Sequence, residues 1–336
     1  VNEIAEDLAL KDEPKNPAWN PSRRDNDRLI HIYTGDQKAT HGVIRAMRKT
    51  LDSFSGERVL ITESYRPFDK LVEYYGTTTE PEAHMPFNFH LIGAEWKPAV
   101  IAKLIKDYES SLPKGAWPDW VEGNHDNHRL ASRIEPAQTR VAAMLLLTLR
   151  GTPTIYNGDE LGLKDVVVPP EAVQDPVEVL DPGKGFGRDP SRAPMIWDQS
   201  DGAGFSKAKP WLPIEPQFKT LNVAMQAKDP KSILSLYKAL LKLRRNSPEL
   251  SLGSIQVIEA SKNLLAYRRK LGGKSLLVVL NFSARPATFK FRANTSQTMV
   301  KILSTGLDQT DQPNQVVPNK FRLMPHEGVI FGDLAQ

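Results

Sequence analysis

The sequence predicts an α/β fold followed by a smaller antiparallel β domain, and three observations carry that prediction. Between residues 41 and 160, β-prone apolar runs alternate four times with segments of helical apolar spacing. This is the order that builds a parallel sheet with crossover helices. Beyond Gly253 the pattern changes to short alternating segments separated by turns, the mark of antiparallel strands. At 336 residues the chain exceeds one ordinary domain and suits a larger unit, 1–252, with a smaller one, 253–336. Four strand–helix units make half of an eight-stranded barrel or an open sheet, and the pattern by itself does not choose.

The elements follow in order. Val1, Ile4, Ala5 and Leu8 share one helical face, so a short helix is under way at the first residue, as in a chain cut just upstream. Residues 11–28 are polar and broken by proline, a surface loop. Val43, Ile44, Met47, Leu51 and Phe54 recur at helical spacing and predict an amphipathic helix with a basic outer face. The run from Arg58 to Tyr65 reads as a strand buried on both faces. Met85–Ile92 is the second strand, and Val100, Ile101, Leu104 and Ile105 mark the next helix. The third strand runs from Trp117 to Gly123. A helix opening at Pro136 turns Val141, Met144, Leu145 and Thr148 inward. The fourth strand, Thr152–Tyr156, leads into Asn157-Gly158-Asp159-Glu160.

Residues 161–229 form a long Pro- and Gly-containing excursion of the kind that walls a site. Asp229 and Pro230 then read as N-cap and first-turn proline for a helix carrying Ile233, Leu234, Leu236, Tyr237, Leu240 and Leu241. Short strands are predicted at 264–268, 276–282, 288–291, 300–303 and 328–331.

Composition excludes several classes. No run approaches the roughly 18 apolar residues of a membrane helix. Lys and Arg are scattered and the net charge is only +4, so nucleic acid is not implied. Without cysteine there is no disulfide frame, thiolate nucleophile or Cys-based metal site. That usage fits a reducing compartment, and with no signal peptide at the start a cytoplasmic location is expected.

Chemistry concentrates around the third strand. Glu122-Gly123-Asn124-His125-Asp126 places an imidazole beside a carboxylate where the strand gives way to a loop. Taken alone, Asn-His-Asp is equally a run of loop-favouring residues. Glu63, at the carboxyl end of the first strand, is either a solvated strand end or a catalytic acid.

The succession Leu60-Ile61-Thr62-Glu63-Ser64-Tyr65, Met85-Pro86-Phe87-Asn88-Phe89, Gly123-Asn124-His125-Asp126 and Gly151 to Gly162 resembles the α-amylase superfamily of glycoside hydrolases. Arg188 to Trp197, with Trp211-Leu212-Pro213, is similar to a region of its α-glucosidase and oligo-1,6-glucosidase branch. The resemblance implies the second half of a (β/α)8 TIM barrel followed by a β-sandwich domain. It also implies retaining hydrolysis of terminal α-linked glucose from small oligosaccharides, between two carboxylates roughly 5–5.5 Å apart.

Matched position by position, Glu63 is the general acid/base, expected to start protonated through burial and neighbouring carboxylates. Asp126 is the third family carboxylate, holding hydroxyls of the glucose at the scissile bond, and His125 and Arg192 reach the same sugar. Asn124 and Arg129 complete the substrate-binding set, although Arg129, like Tyr156, reads equally well as a brace of the loop. No metal ligand and no cofactor are expected; the one metal the resemblance leaves room for is a structural calcium upstream of Val1.

The decisive departure concerns the nucleophile. The family's Gly-Phe-Arg-x-Asp motif would fall just before Val1, and Glu3, Glu6 and Asp7 on the following helix do not replace its Asp. Ala193 and Ile196 also stand where Thr and Gln are usual, and Thr62 where a smaller residue is common. The expectation is a carboxyl-terminal part of an α-glucosidase, poorly folded or inert alone. The alternatives are a transglucosylase or isomerase acting on sucrose or trehalose, and a non-catalytic barrel remnant serving as a carbohydrate- or protein-binding subunit.

Overall fold

The computed structural model describes residues 10–291, 299–307 and 320–333. The helix expected over residues 1–10 therefore lies outside the described residues except for Leu10. In chain order the main elements are α1 (Lys38–Asp52), β1 (Ile61–Thr62), α2 (Phe68–Leu71), β2 (Met85–Pro86), α3 (Pro98–Ser111), β3 (Asp119–Val121), α4 (Leu130–Arg133), α5 (Thr139–Thr148) and β4 (Thr152–Thr154). They continue with α6 (Pro176–Leu180), α7 (Val223–Gln226), α8 (Ile233–Asn246), α9 (Pro248–Ser251) and strands β5 (Ser254–Ala260), β6 (Leu264–Leu271) and β7 (Lys274–Asn281). The last strands are β8 (Ala287–Lys290), β9 (Met299–Ser304), β10 (Lys320–Leu323) and β11 (Gly328–Asp333). The chain divides into two compact units: residues 1–89, 107–119 and 174–187, and residues 90–106, 120–173 and 188–336.

In the first unit β1 pairs parallel with β2, Ile61 opposite Met85 and Thr62 opposite Pro86. Both strands are shorter than their apolar runs predict. Pro86 has no N–H to give a ladder, and the Leu60 N–H is taken by the His84 ring at 2.9 Å instead of by a neighbouring strand. Past the ladder, packing is aromatic: Tyr65 stacks on Phe89 with ring centroids 4.3 Å apart, and Phe68 on Tyr108 at 5.2 Å. Helix α1 buries Thr40 and Ile44 and leaves Met47 exposed, so its apolar face is narrower than the periodicity suggests.

In the second unit β3 pairs with β4. Among the described residues the four barrel-type strands thus form two pairs, β1 with β2 and β3 with β4, where the sequence suggests one four-stranded sheet. Helix α5 is buried along Thr139 and Val141–Thr148. Its apolar residues run all round the helix, and it meets α8 and strands β7 and β11. Arg244 of α8 donates to the carbonyls of Leu147 and Leu149, 2.9 Å each, and to that of Gly151, satisfying the carboxyl end of α5. Helix α8 starts at a different cap from the one expected. Ser232 Oγ accepts from the Ser235 N–H at 3.1 Å, while Asp229 serves the preceding turn through Lys231 N at 2.8 Å.

Strands β5, β6, β7, β11 and β9 form a five-stranded antiparallel sheet in that order, and β8 pairs antiparallel with β10. Leu264, Ala266, Leu277, Val279, Phe289, Leu323, Val329 and Phe331 close the core of this region. Phe331 meets Phe291 and Phe321 edge-on at 5.3 and 5.0 Å. Strands β5 and β10 join the five segments read from the sequence.

Candidate active site

The turn after β3 is organised by Asn124. Its Oδ1 accepts from the Asp126 N–H at 3.1 Å and from Asn127 Nδ2 at 2.9 Å, an Asx-type closure. The Asp126 carboxylate is thereby turned toward the long excursion, where Arg188 Nη1 reaches Oδ1 at 3.1 Å and Arg192 Nη2 at 2.9 Å. His125 Nε2 stands 3.4 Å from the same oxygen. Arg192 also donates from Nε to the His125 carbonyl at 2.9 Å, so one guanidinium holds both the backbone and the carboxylate of the motif. The Asp126 side chain is 28% exposed and that of His125 58%. The cluster is therefore held in place yet open to a hydroxyl-bearing ligand.

Beneath this turn lies a buried polar layer. Arg129 is 1% exposed, donates from Nη1 to the Asn157 carbonyl at 2.7 Å and lies over the Tyr156 ring at 4.9 Å. Its backbone N–H goes to Asp165 Oδ1 at 2.9 Å, and His128 Nδ1 meets Asp165 Oδ2 at 2.7 Å. Of the two readings of Arg129, geometry favours the brace over the sugar contact, because a guanidinium this enclosed by its own chain does not face a ligand. Tyr156 donates to the Ser191 carbonyl at 3.0 Å, and burial raises its phenol's pKa.

Glu122 is 1% exposed, and burial, reinforced by Asp159, pushes its pKa well above the carboxylate range. Burial likewise lifts Asp159 to about 7, against the pull of Arg129. Arg133 donates to the Glu122 carbonyl and from Nε to the His128 carbonyl at 2.9 Å. The Tyr237 phenol is raised well above its usual value by burial and by these acids.

Glu63 lies in the first unit, just beyond β1, and its side chain is exposed while Ser64 is buried. The burial expected for a resting acid is thus not met. Extended backbone alternates sides, and with Ser64 turned inward Glu63 faces out. The structure brings Asn124, His125, Asp126, Arg129 and Arg192 together in the second unit.

Asp36, His41 and Glu73, in the first unit, offer ligand atoms within 4.8 Å of one another. Lys70 Nζ already stands 3.6 Å from Asp36 and 3.0 Å from Glu73, and His41 Nδ1 is 2.8 Å from Glu82, so a cationic side chain balances these acids.

Sequence reasoning assigned no role to Arg188, Asp165, Arg133, Glu122 or Asp159. An acidic residue, Glu122, directly after the buried strand residues Trp120 and Val121 was the local signal available. The others become partners only through contacts across distant loops.

A carboxylate pinned in the turn after a strand is the arrangement found where α/β proteins carry their sites at the carboxyl ends of strands. The family model described as alpha amylase, catalytic domain, matches residues 4–253, and the chain belongs to that family. It is 34% identical over 330 residues to the salivary alpha-glucosidase of Aedes aegypti, covering 95% of this chain and 53% of that protein. The chain spans about half the length of the curated relatives it matches. Among solved structures, the alpha-glucosyl transfer enzyme XgtA superposes with a TM-score of 0.83 at 29% identity, covering 98% of this chain and 62% of that one. Trehalulose synthase MutB does so with 0.76 at 25% identity, covering 88% and 59%.

Proposed function

We propose that this chain is the acid-bearing and sugar-holding part of a retaining α-glucosidase, with 1–252 as its barrel portion and 253–336 as its β-sandwich. The observation that carries the reading is the Asp126 carboxylate held by Arg188 and Arg192 beside His125. A carboxylate so fixed accepts hydrogen bonds from two adjacent sugar hydroxyls, and the arginines keep it from rotating away as the ring flattens toward an oxocarbenium-like state. The imidazole of His125 donates to a hydroxyl of the same sugar. Glu63 gives its proton to the glycosidic oxygen as the bond breaks, then takes one from water in the second half-reaction.

The family's nucleophilic Asp matches no position of the chain. Residues 1–336 are accordingly proposed to be inactive alone, and turnover of p-nitrophenyl α-glucoside by them would overturn that. In a protein that also carries the nucleophile motif, Glu63→Gln is expected to lose about 10²–10⁴-fold on maltose and far less on the p-nitrophenyl substrate, whose leaving group needs no proton. Maltose hydrolysis near the wild-type rate refutes the assignment. The second reading, transfer of glucose to a sugar acceptor, is favoured by the likeness to XgtA and MutB. The same carboxylates serve it, and product analysis with sucrose separates the two.

A further inference from the structure

Glu122 has no place in the chemistry proposed above, yet it sits four residues before Asp126 and is among the most enclosed acids of the chain. Both its carboxylate oxygens are buried and make no hydrogen bond. A carboxylate in that state is strongly penalised, so the group stays protonated. Asp159 approaches the same backbone from the loop after β4. A Cβ on Gly123 would meet Asp159 Oδ2 at 3.3 Å and Oδ1 at 3.9 Å, so the glycine is what lets the carboxyl press against the chain between Glu122 and Asn124.

We propose that Glu122 and Asp159, two carboxyl groups buried against the same strand end beneath the Asn124–Asp126 turn, are positioning residues that keep the turn on its arginine partners. The charged and titratable groups facing Glu122 are Asp159, Arg133 on α4, Tyr237 on α8 and Tyr267 on β6. Those facing Asp159 are Arg129, Arg133, Glu160, Tyr156 and Tyr237.

While both acids hold their protons, Arg133 donates to the Glu122 carbonyl and Arg129 Nη1 to the Asn157 carbonyl, anchoring the two loops. Ionisation of Asp159 places a charge against Gly123 and draws both guanidinium groups toward it. Ionisation of Glu122 adds a second negative charge with no donor to receive it. Each step moves the strand end on which Asn124, His125 and Asp126 ride.

The test is a pH titration of the backbone amide signals of Gly123 and Asp126 by NMR in the 336-residue chain. Wild type is expected to show a step near pH 7, from Asp159, and a second at higher pH. Asp159→Asn removes the first. Glu122→Gln removes the second, and Glu122→Leu substitutes for it if Gln disturbs folding. A step that survives Asp159→Asn and vanishes in His125→Gln overturns the pair, as does loss of neither step in the Glu122 variants. The positioning role rests on the glucosidase reading and has its own readout: in the nucleophile-bearing protein, Asp159→Asn extends the alkaline limb of kcat/KM on maltose. An unchanged limb refutes positioning, whereas absence of any turnover refutes the glucosidase reading and leaves the amide titration to decide the pair.

Discussion

At the scale of single residues, the site rests on one carboxylate shared by two guanidinium groups. Asp126 Oδ1 is 3.1 Å from Arg188 and 2.9 Å from Arg192, so its removal leaves two like charges facing each other across the turn. Arg192 carries the heavier duty because its Nε also holds the His125 carbonyl at 2.9 Å. A lysine has one ammonium and does not span both acceptors. On the glucosidase reading, in a protein that also carries the nucleophile motif, Arg192→Lys is therefore expected to lower kcat/KM on maltose roughly 10- to 100-fold, from one lost bond to a charged group. Unchanged kcat/KM would show that the His125 carbonyl needs no external donor. Residue type and order single out Asn124-His125-Asp126 and Arg192, and the structure brings these together. The engagement of Arg188 was not legible in the sequence, since it forms 62 positions away from its acceptor.

At the scale of elements, helix ends were less legible than helix bodies. The apolar spacing of α8 marks its body, but Asp229 and Ser232 are both competent caps and both precede it. The structure gives the capping bond to Ser232, whose hydroxyl also donates to the Gln226 carbonyl at 2.7 Å and so ties the cap to α7. Ser232→Ala should cost about 1 kcal/mol, read as a lower urea midpoint. Asp229→Ala should cost less; the reverse order would restore the cap read from sequence. In α5, Leu145 is fully buried, and Leu145→Ala should destabilise by roughly 2–5 kcal/mol in the same assay. Strand lengths failed for a related reason. An apolar run shows where chain is buried, but ladder bonds also need a free N–H and a partner, which Pro86 and the His84 ring remove.

At the scale of the whole molecule, the buried acids govern how stability responds to pH. Asp159 keeps its proton to about pH 7 when folded, against 3.8 ordinarily. Between those values the folded chain binds the extra proton, so its contribution is fully present below 3.8 and lost as pH rises through about 7. Glu122, raised in the same direction, extends the loss to higher pH. The urea midpoint of wild type is thus expected to fall from pH 5 to pH 8, and that of Asp159→Asn to fall less; equal slopes would mean that Asp159 is not the group responsible.

By itself the sequence determined the alternation of strands and helices, the change to antiparallel strands after Gly253, and a motif succession specific enough to place the chain in the α-amylase family. These follow from spacing and order along the chain, which are local. The tertiary structure decided that Arg129 is enclosed by its own chain, that Glu63 faces outward, that Arg188 joins Arg192 on Asp126, and that Glu122 and Asp159 lie out of water under the turn. Desolvation and ion pairing depend on which distant segments meet, and no local pattern of residues encodes that.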